Sequence, residues 1–187
     1  MNLPNWISIF RIILVPLFIG TIAYYNPNKD YLRFIALLIF LTAVISDGID
    51  GYIARTQKLK TRLGSFLDPI ADKLLLSASF ITLALAHNFQ LGIRLPLWIP
   101  ILVISRDVIL VLGSFLIHVI TGDLKISPSI PGKLTTVFQM STIICVLLQF
   151  RYSHIVWNIA AFFTIISGFD YIIRGSRLLS NNVQNHR

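Results

Sequence analysis

Apolar residues along these 187 positions come in long unbroken runs, with polar residues gathered at the ends of the runs and between them. A helix needs roughly 20 apolar residues to cross a hydrocarbon core. Six runs of about that length stand out: residues 6–26, 31–53, 66–88, 97–121, 133–150 and 153–175. Membrane-barrel strands would alternate apolar and polar side chains, so helices are the expected spanning elements. Turn signals separate the runs: Asn26, Pro27 and Asn28 after the first, residues 87–96 after the third, and Thr121, Gly122 and Asp123 with Pro128 and Pro131 after the fourth. The pattern predicts an all-α integral membrane protein of six transmembrane helices, forming one domain over 1–179 with a polar, disordered tail over 180–187. No internal repeat is visible, which argues against transporter folds built from duplicated halves. The first run has no basic stretch ahead of it and no small-residue cleavage pattern after it, so it is expected to stay in the mature protein.

Composition strengthens this reading. Hydrophobic residues make up 55% of the chain and charged residues 13%, against about a quarter charged in soluble domains. The net charge of +8 does not point to nucleic acid, because the basic residues form no patch interleaved with exposed aromatics. They follow the membrane instead. Arg55, Lys58, Lys60 and Arg62 fall on the same side as the 125–133 connection and Arg174, Arg177 and Arg187. The opposite loops hold only Lys29, Arg33, Arg94 and Arg151. The positive-inside rule then places both termini in the cytoplasm. Cys145, the single cysteine, offers no disulfide or thiolate site. His87, His118, His154 and His186 have no metal-ligand spacing, and Trp6, Trp98 and Trp157 sit where interfacial belts are expected.

The chain has eight acidic residues, all aspartate, and four of them, Asp47, Asp50, Asp68 and Asp72, fall within 26 residues. Residues three or four apart share a helix face, so Asp47, Asp50, Gly51 and Ala54 form a stripe at the end of the second run. Gly64, Asp68 and Asp72 form another at the start of the third. A short connection turns the two helices into an antiparallel hairpin, so the stripes can face each other. Carboxylates at membrane-helix ends are costly unless paired or metal-bound. A purely interfacial role, with pairing to Arg55, Lys58, Lys60, Arg62 and Lys73, would need no such matched register. Four hard oxygen ligands suit Mg2+ or Mn2+ better than zinc. Two such ions could clamp a diphosphate, and a carboxylate not fully engaged by metal could take the proton of an attacking hydroxyl.

Asp47, Asp50, Gly51, Ala54, Arg55, Gly64, Asp68 and Asp72 reproduce, with every gap intact, a motif that resembles the signature of the CDP-alcohol phosphatidyltransferase family. The resemblance implies six helices around a cytoplasm-facing polar active-site cavity. It also implies transfer of a phosphatidyl group from CDP-diacylglycerol to an alcohol, with release of CMP. It makes the four aspartates the ligands of two Mg2+ or Mn2+ ions, Asp72 also the base, and Gly51, Ala54, Arg55 and Gly64, with Asn5, Ser8 and Lys73, the nucleotide and diphosphate contacts.

Further stretches are similar to the branch containing phosphatidylglycerophosphate synthases: Pro4-Asn5 with Ser8 and Arg11, Asp68 through Lys73, Gly132-Lys133 leading into Gln139-Met140, and Ser167-Gly168 with Asp170, Tyr171 and Arg174. These imply glycerol 3-phosphate as the acceptor, held by Arg106, Lys133 and Arg11. On a helix Asp107 is not expected to face the way Arg106 does, which turns Arg106 towards the cavity; pairing with another aspartate is the alternative. Ser114 and Thr135 stand where that branch typically carries basic residues, and Ser105-Arg106-Asp107-Val108 resembles the CMP-forming cardiolipin synthases, whose acceptor is phosphatidylglycerol. A divalent-cation transporter is a remote second class, disfavoured because the aspartates lie at one helical end and not at the bilayer midplane. Outward faces read alike whether lipid or a second copy of the chain covers them, which leaves a homodimer open.

Overall fold

The computed structural model describes residues 3–56, 62–86, 93–121 and 129–185. Side chains are described for 6–48, 70–86, 93–114, 117, 119 and 129–177. The loop lysines Lys58 and Lys60, His87, and the turn residues Gly122, Asp123 and Pro128 lie outside the described residues. Among the described residues six helices follow one another: α1 (Leu3–Ala23), α2 (Tyr31–Thr56), α3 (Arg62–Leu85), α4 (Trp98–Thr121), α5 (Ile130–Leu147) and α6 (Ser153–Asn185), with a 3-10 turn at Pro27–Lys29. Among the described residues, four windows are long and apolar enough to cross a membrane: Trp6–Ala23, Tyr31–Gly48, Ile130–Leu147 and Ser153–Arg177. The protein is a multi-pass, all-α membrane protein.

Two features of the organisation go beyond the hydropathy pattern. Helix α6 continues to Asn185, through residues 180–185 that the polar composition predicts as a disordered tail. No glycine or proline follows Gly175 to break it, and its polar end needs no apolar partner outside the bilayer. The chain also groups into two compact units: Met1–Leu97 with Ile143–Arg151, and Trp98–Thr142 with Tyr152–Arg187.

In the first unit α1 packs against both α2 and α3. Arg11 meets Asp47, and Phe18 meets Phe40 with ring centroids 6.2 Å apart. Contacts that run in opposite chain directions make α1 and α2 antiparallel. Ala36, Ala43, Ala71 and Ser79 are fully buried, and small residues of this kind let membrane helices approach closely. Away from Asp47 a polar knot closes the unit. Tyr25 Oη donates to Asp30 (3.2 Å), and Arg33 Nη2 pairs with Asp30 Oδ2 (2.8 Å). Burial, then the Asp30 carboxylate, pushes the Tyr25 phenol above its ordinary pKa. Gln149 ends α5 in the left-handed region, at φ 55°. Phe150 N donates to Cys145 O and Gln149 N to Val146 O, the pair of bonds of a Schellman cap. The Gln149 amide oxygen, facing Arg33, accepts from its Nη1 at 2.6 Å.

In the second unit α4 packs against α6. Arg106 meets Ser167, Ser114 meets Tyr171, and Ile117 meets Gly175. Here the order matches, so α4 and α6 run parallel, as alternate spans of a repeatedly crossing chain do. Gly113 sits flush against the Tyr171 ring: a Cβ there would stand 2.6 Å from Cε1. The start of α5 joins through a buried polar stripe. The single Thr135 hydroxyl proton is shared between Pro131 O (2.8 Å) and Phe163 O (2.9 Å), and Gln139 Nε2 donates to Thr164 Oγ1 (3.2 Å). Phe138 stacks on Phe163 at 5.1 Å. Such bonds join helices where lipid supplies no hydrophobic drive between them.

A glycine in a helix interior ordinarily gains about 1 kcal/mol on replacement by alanine, but overpacking costs about 1–3 kcal/mol. With the Tyr171 ring at 2.6 Å, the second effect wins at this position. Gly113→Ala is expected to lower the thermal midpoint in detergent, and Tyr171→Leu in the same chain to recover part of the loss.

Candidate active site

The aspartate motif lies on two helices throughout. Asp47, Asp50, Gly51, Ala54 and Arg55 belong to α2, and Gly64, Asp68 and Asp72 to α3. The helical backbone therefore gives both stripes the three- and four-residue spacing that puts their members on one face. The side chains of Asp50, Gly51, Ala54, Arg55, Gly64, Asp68 and Asn5 lie outside the described side chains. Asp47 and Asp72 are within them, and both are partly exposed.

Asp47 is held from α1. Arg11 Nη1 lies 2.6 Å from Asp47 Oδ1, with the Arg11 side chain 0% exposed and the Asp47 side chain 40% exposed. Arg11, expected among the acceptor contacts, is thus placed against one of the expected metal ligands. A guanidinium inside apolar surroundings must find an anion, and Asp47 lies opposite it on the antiparallel neighbour. Ser8, one turn before Arg11, is also fully buried. Lys73, next to Asp72, is partly exposed and already engaged with neighbours.

The family signature implies a divalent metal, and the donor set fits one. The stripes offer carboxylates and no histidine or cysteine, and Asp47 keeps an exposed edge while Arg11 holds the other. Hard cations take such oxygen donors. Among the described residues no group of three or more metal-ligating side chains gathers, and only two of the four aspartates fall within them. Asp47, Asp50, Asp68 and Asp72 are the carboxylates the two stripes offer to such a cation.

The second unit collects the other singled-out residues around Arg106. This arginine is 8% exposed in the middle of α4. Its Nη1 donates to Asp107 Oδ1 at 2.8 Å, and its Nη2 to Ser167 Oγ on α6 at 2.5 Å. The expectation that Asp107 cannot face Arg106 is corrected here. Adjacent helical positions diverge at Cβ, but the long arginine stem bends back along the helix until its head reaches the neighbouring carboxylate. Gly132, near the start of α5, lies beside the same guanidinium: a Cβ there would stand 3.5 Å from Arg106 Nη2 and 3.6 Å from Ser167 Oγ. Ser129 caps α5, its Oγ accepting from Gly132 N (3.1 Å) and its carbonyl from Lys133 N (3.2 Å). Lys133 is exposed.

Three separate stretches, 105–108, 132–133 and 167–168, thus meet at one guanidinium. The roles of Asp107 and Ser167 were not evident from spacing, because the partners come from an unfavourable register and from a helix 61 residues away. Ser114 and Thr135, the two neutral positions where basic residues were expected, are both engaged. Ser114 Oγ shares a 2.8 Å hydrogen bond with Tyr171 Oη. Thr135 is fully buried, so an ammonium there would have to leave water.

Residues 1–166 match the family model described as CDP-alcohol phosphatidyltransferase. With the motif carried on the two helical stripes, the chain belongs to this family. It is similar to curated relatives named CDP-diacylglycerol–glycerol-3-phosphate 3-phosphatidyltransferase. That of Haemophilus influenzae is 36% identical, covering 98% of each chain. That of Bacillus subtilis is 32% identical, covering 97% of this chain and 98% of its own. That of Aquifex aeolicus is 33% identical, covering 96% and 98%.

The Arg11–Asp47 pair is lopsided, with the cation buried and the anion half in water. Removing the anion takes a counter-charge from a buried cation, which is the costly way to break such a pair. Removing the cation leaves a carboxylate that water can solvate. Asp47→Ala is therefore expected to lose more thermal stability than Arg11→Met. Loss of activity in Asp47→Ala then needs a folding control before it reports on metal.

Proposed function

We propose that this protein transfers the phosphatidyl group of CDP-diacylglycerol to glycerol 3-phosphate, giving phosphatidylglycerophosphate and CMP. The observation that carries the reading is the full-length similarity to relatives bearing that activity in their names, together with the eight intact motif positions. The acceptor hydroxyl attacks the lipid-linked phosphorus, the bond from that phosphorus to the CMP oxygen breaks, and CMP leaves. Asp72 takes the hydroxyl proton. Bound Mg2+ or Mn2+ ions, two on the four aspartates, would supply neutralisation of the diphosphate charge. Gly51, Ala54, Arg55 and Gly64, with Asn5, Ser8 and Lys73, hold the nucleotide and diphosphate; small residues leave the backbone open to close approach. Arg106 and Lys133 receive the acceptor phosphate, for which charge-assisted hydrogen bonds are the strong contacts.

A second acceptor, phosphatidylglycerol, is favoured by one observation. Ser114 and Thr135 are neutral and already bonded within the second unit, which suits an acceptor of lower charge. Purified protein given CDP-diacylglycerol, Mg2+ or Mn2+, and either alcohol alone separates the two by lipid product. Glycerol 3-phosphate is expected to support CMP release and yield phosphatidylglycerophosphate; cardiolipin from phosphatidylglycerol alone would reverse the assignment. Asp72→Asn is expected to lower turnover by about 100-fold or more at unchanged thermal midpoint, and chelation to abolish it. Near-normal CMP release in either case refutes the corresponding role.

The basic-residue asymmetry supports an active site and both termini facing the cytoplasm. In a Cys145→Ser background, cysteine at Arg94 is expected to react with an impermeant thiol reagent outside intact cells, and cysteine at Lys125 to be protected. The reverse labelling would invert the topology.

A further inference from the structure

An arginine carries five N–H donors in a rigid planar fork. In Arg106, Asp107 takes one from Nη1 and Ser167 one from Nη2, which leaves Nε–H and one N–H on each Nη. Nε is buried and has no hydrogen-bond partner among the described residues. A buried donor left unpaired is costly, so a guanidinium held this way is primed for an acceptor from outside the chain.

The two anchors differ in what they contribute. Asp107, on the same helix, supplies a carboxylate and offsets the charge of Arg106. Ser167 supplies a neutral oxygen from α6: it fixes where Nη2 lies without neutralising the group further. The long arginine side chain carries much rotamer freedom, and an anchor on each Nη removes it before a ligand arrives. Gly132 completes the arrangement. A methyl at this position would stand 3.2 Å from the Ser129 hydroxyl and in van der Waals contact with Nη2 (3.5 Å) and the Ser167 hydroxyl (3.6 Å), so the glycine keeps the space beside the fork free. Lys133, the next residue, adds a second cation on the exposed side.

We infer that Ser167 is a positioning residue for the acceptor alcohol: with Asp107 it presets the Arg106 fork, and Gly132 leaves the room, so that the phosphate of the acceptor meets an oriented donor edge. The inference rests on the reading of Arg106 as the acceptor-phosphate contact. Ser167 itself does not touch the reacting atoms, and its effect is confined to acceptor capture.

The test is steady-state kinetics of the full-length protein in mixed micelles with each substrate varied in turn. Ser167→Ala is expected to raise KM for glycerol 3-phosphate about tenfold, while KM for CDP-diacylglycerol and kcat at saturating glycerol 3-phosphate stay within about twofold, since an interaction of equal strength in ground and transition states appears in KM. Ser167→Thr, which keeps the hydroxyl, is expected to restore the acceptor KM. A helix staple between α4 and α6 would instead move both KM values and kcat together, and that result overturns the proposal. Gly132→Ala provides a second route should Ser167→Ala fold poorly: a methyl filling the space beside Nη2 is expected to raise the acceptor KM with the CDP-diacylglycerol KM unchanged, and an unchanged acceptor KM counts against the inference. Arg106→Ala separates the two levels. If it raises the acceptor KM while Ser167→Ala does not, the positioning role alone fails; if neither variant changes that KM, the Arg106 reading fails and the inference with it.

Discussion

An ionised side chain moved out of water costs several kcal/mol unless a counter-charge and hydrogen bonds meet it, and a chain this apolar has few places where it can carry one. Both compact units are organised by that constraint. In the first, the fully buried Arg11 finds Asp47, and Arg33 finds Asp30 and Gln149. In the second, Arg106 finds Asp107 and Ser167. Each pairing ties one helix or loop to another, or sets a charged head at a helix surface, so these polar groups also fix how the helices register. The apolar contacts around them, such as Phe18 on Phe40 or Phe138 on Phe163, fill space that these pairs have already defined.

The helices themselves were readable in the sequence because an apolar run of bilayer length permits little else, and the six runs match six helices closely. The aspartate motif was readable because its spacing is helical and its chemistry uncommon in a membrane. What could not be read were contacts between residues far apart in sequence. Nothing in the sequence around Arg11 shows that the antiparallel packing of α1 on α2 brings Asp47 to it. Asp107 was set aside because helical geometry separates neighbouring Cβ atoms, a rule that constrains short side chains more than a flexible arginine. Ser167 and Gly132 stood in motif-like stretches with no visible task until α4, α5 and α6 met.

The same logic explains why α6 runs past its apolar segment. At 33 residues and about 1.5 Å per residue it spans roughly 50 Å, against a hydrocarbon core of about 30 Å. Hydropathy marks where a helix must be apolar, and it is silent about where a helix stops. Beyond the bilayer the ending is set by breakers, and none follows Gly175. The Asp170–Arg174 pair at 2.9 Å stabilises the helix by the usual one-turn spacing as it leaves the apolar stretch.

Gln149 shows how such constraints couple positions over evolutionary time. Its backbone adopts a left-handed conformation that glycine takes without penalty, so considered alone the site invites glycine. Yet its amide is a partner of Arg33, which is buried against Asp30. A change to glycine would relax the turn and strip an acceptor from a buried cation in one step, whereas a prior loss of Arg33 would remove the reason to keep glutamine. The order in which the two substitutions occur therefore decides whether the intermediate is sound, and the pair is expected to drift as a unit, constrained far from the residues that carry the chemistry.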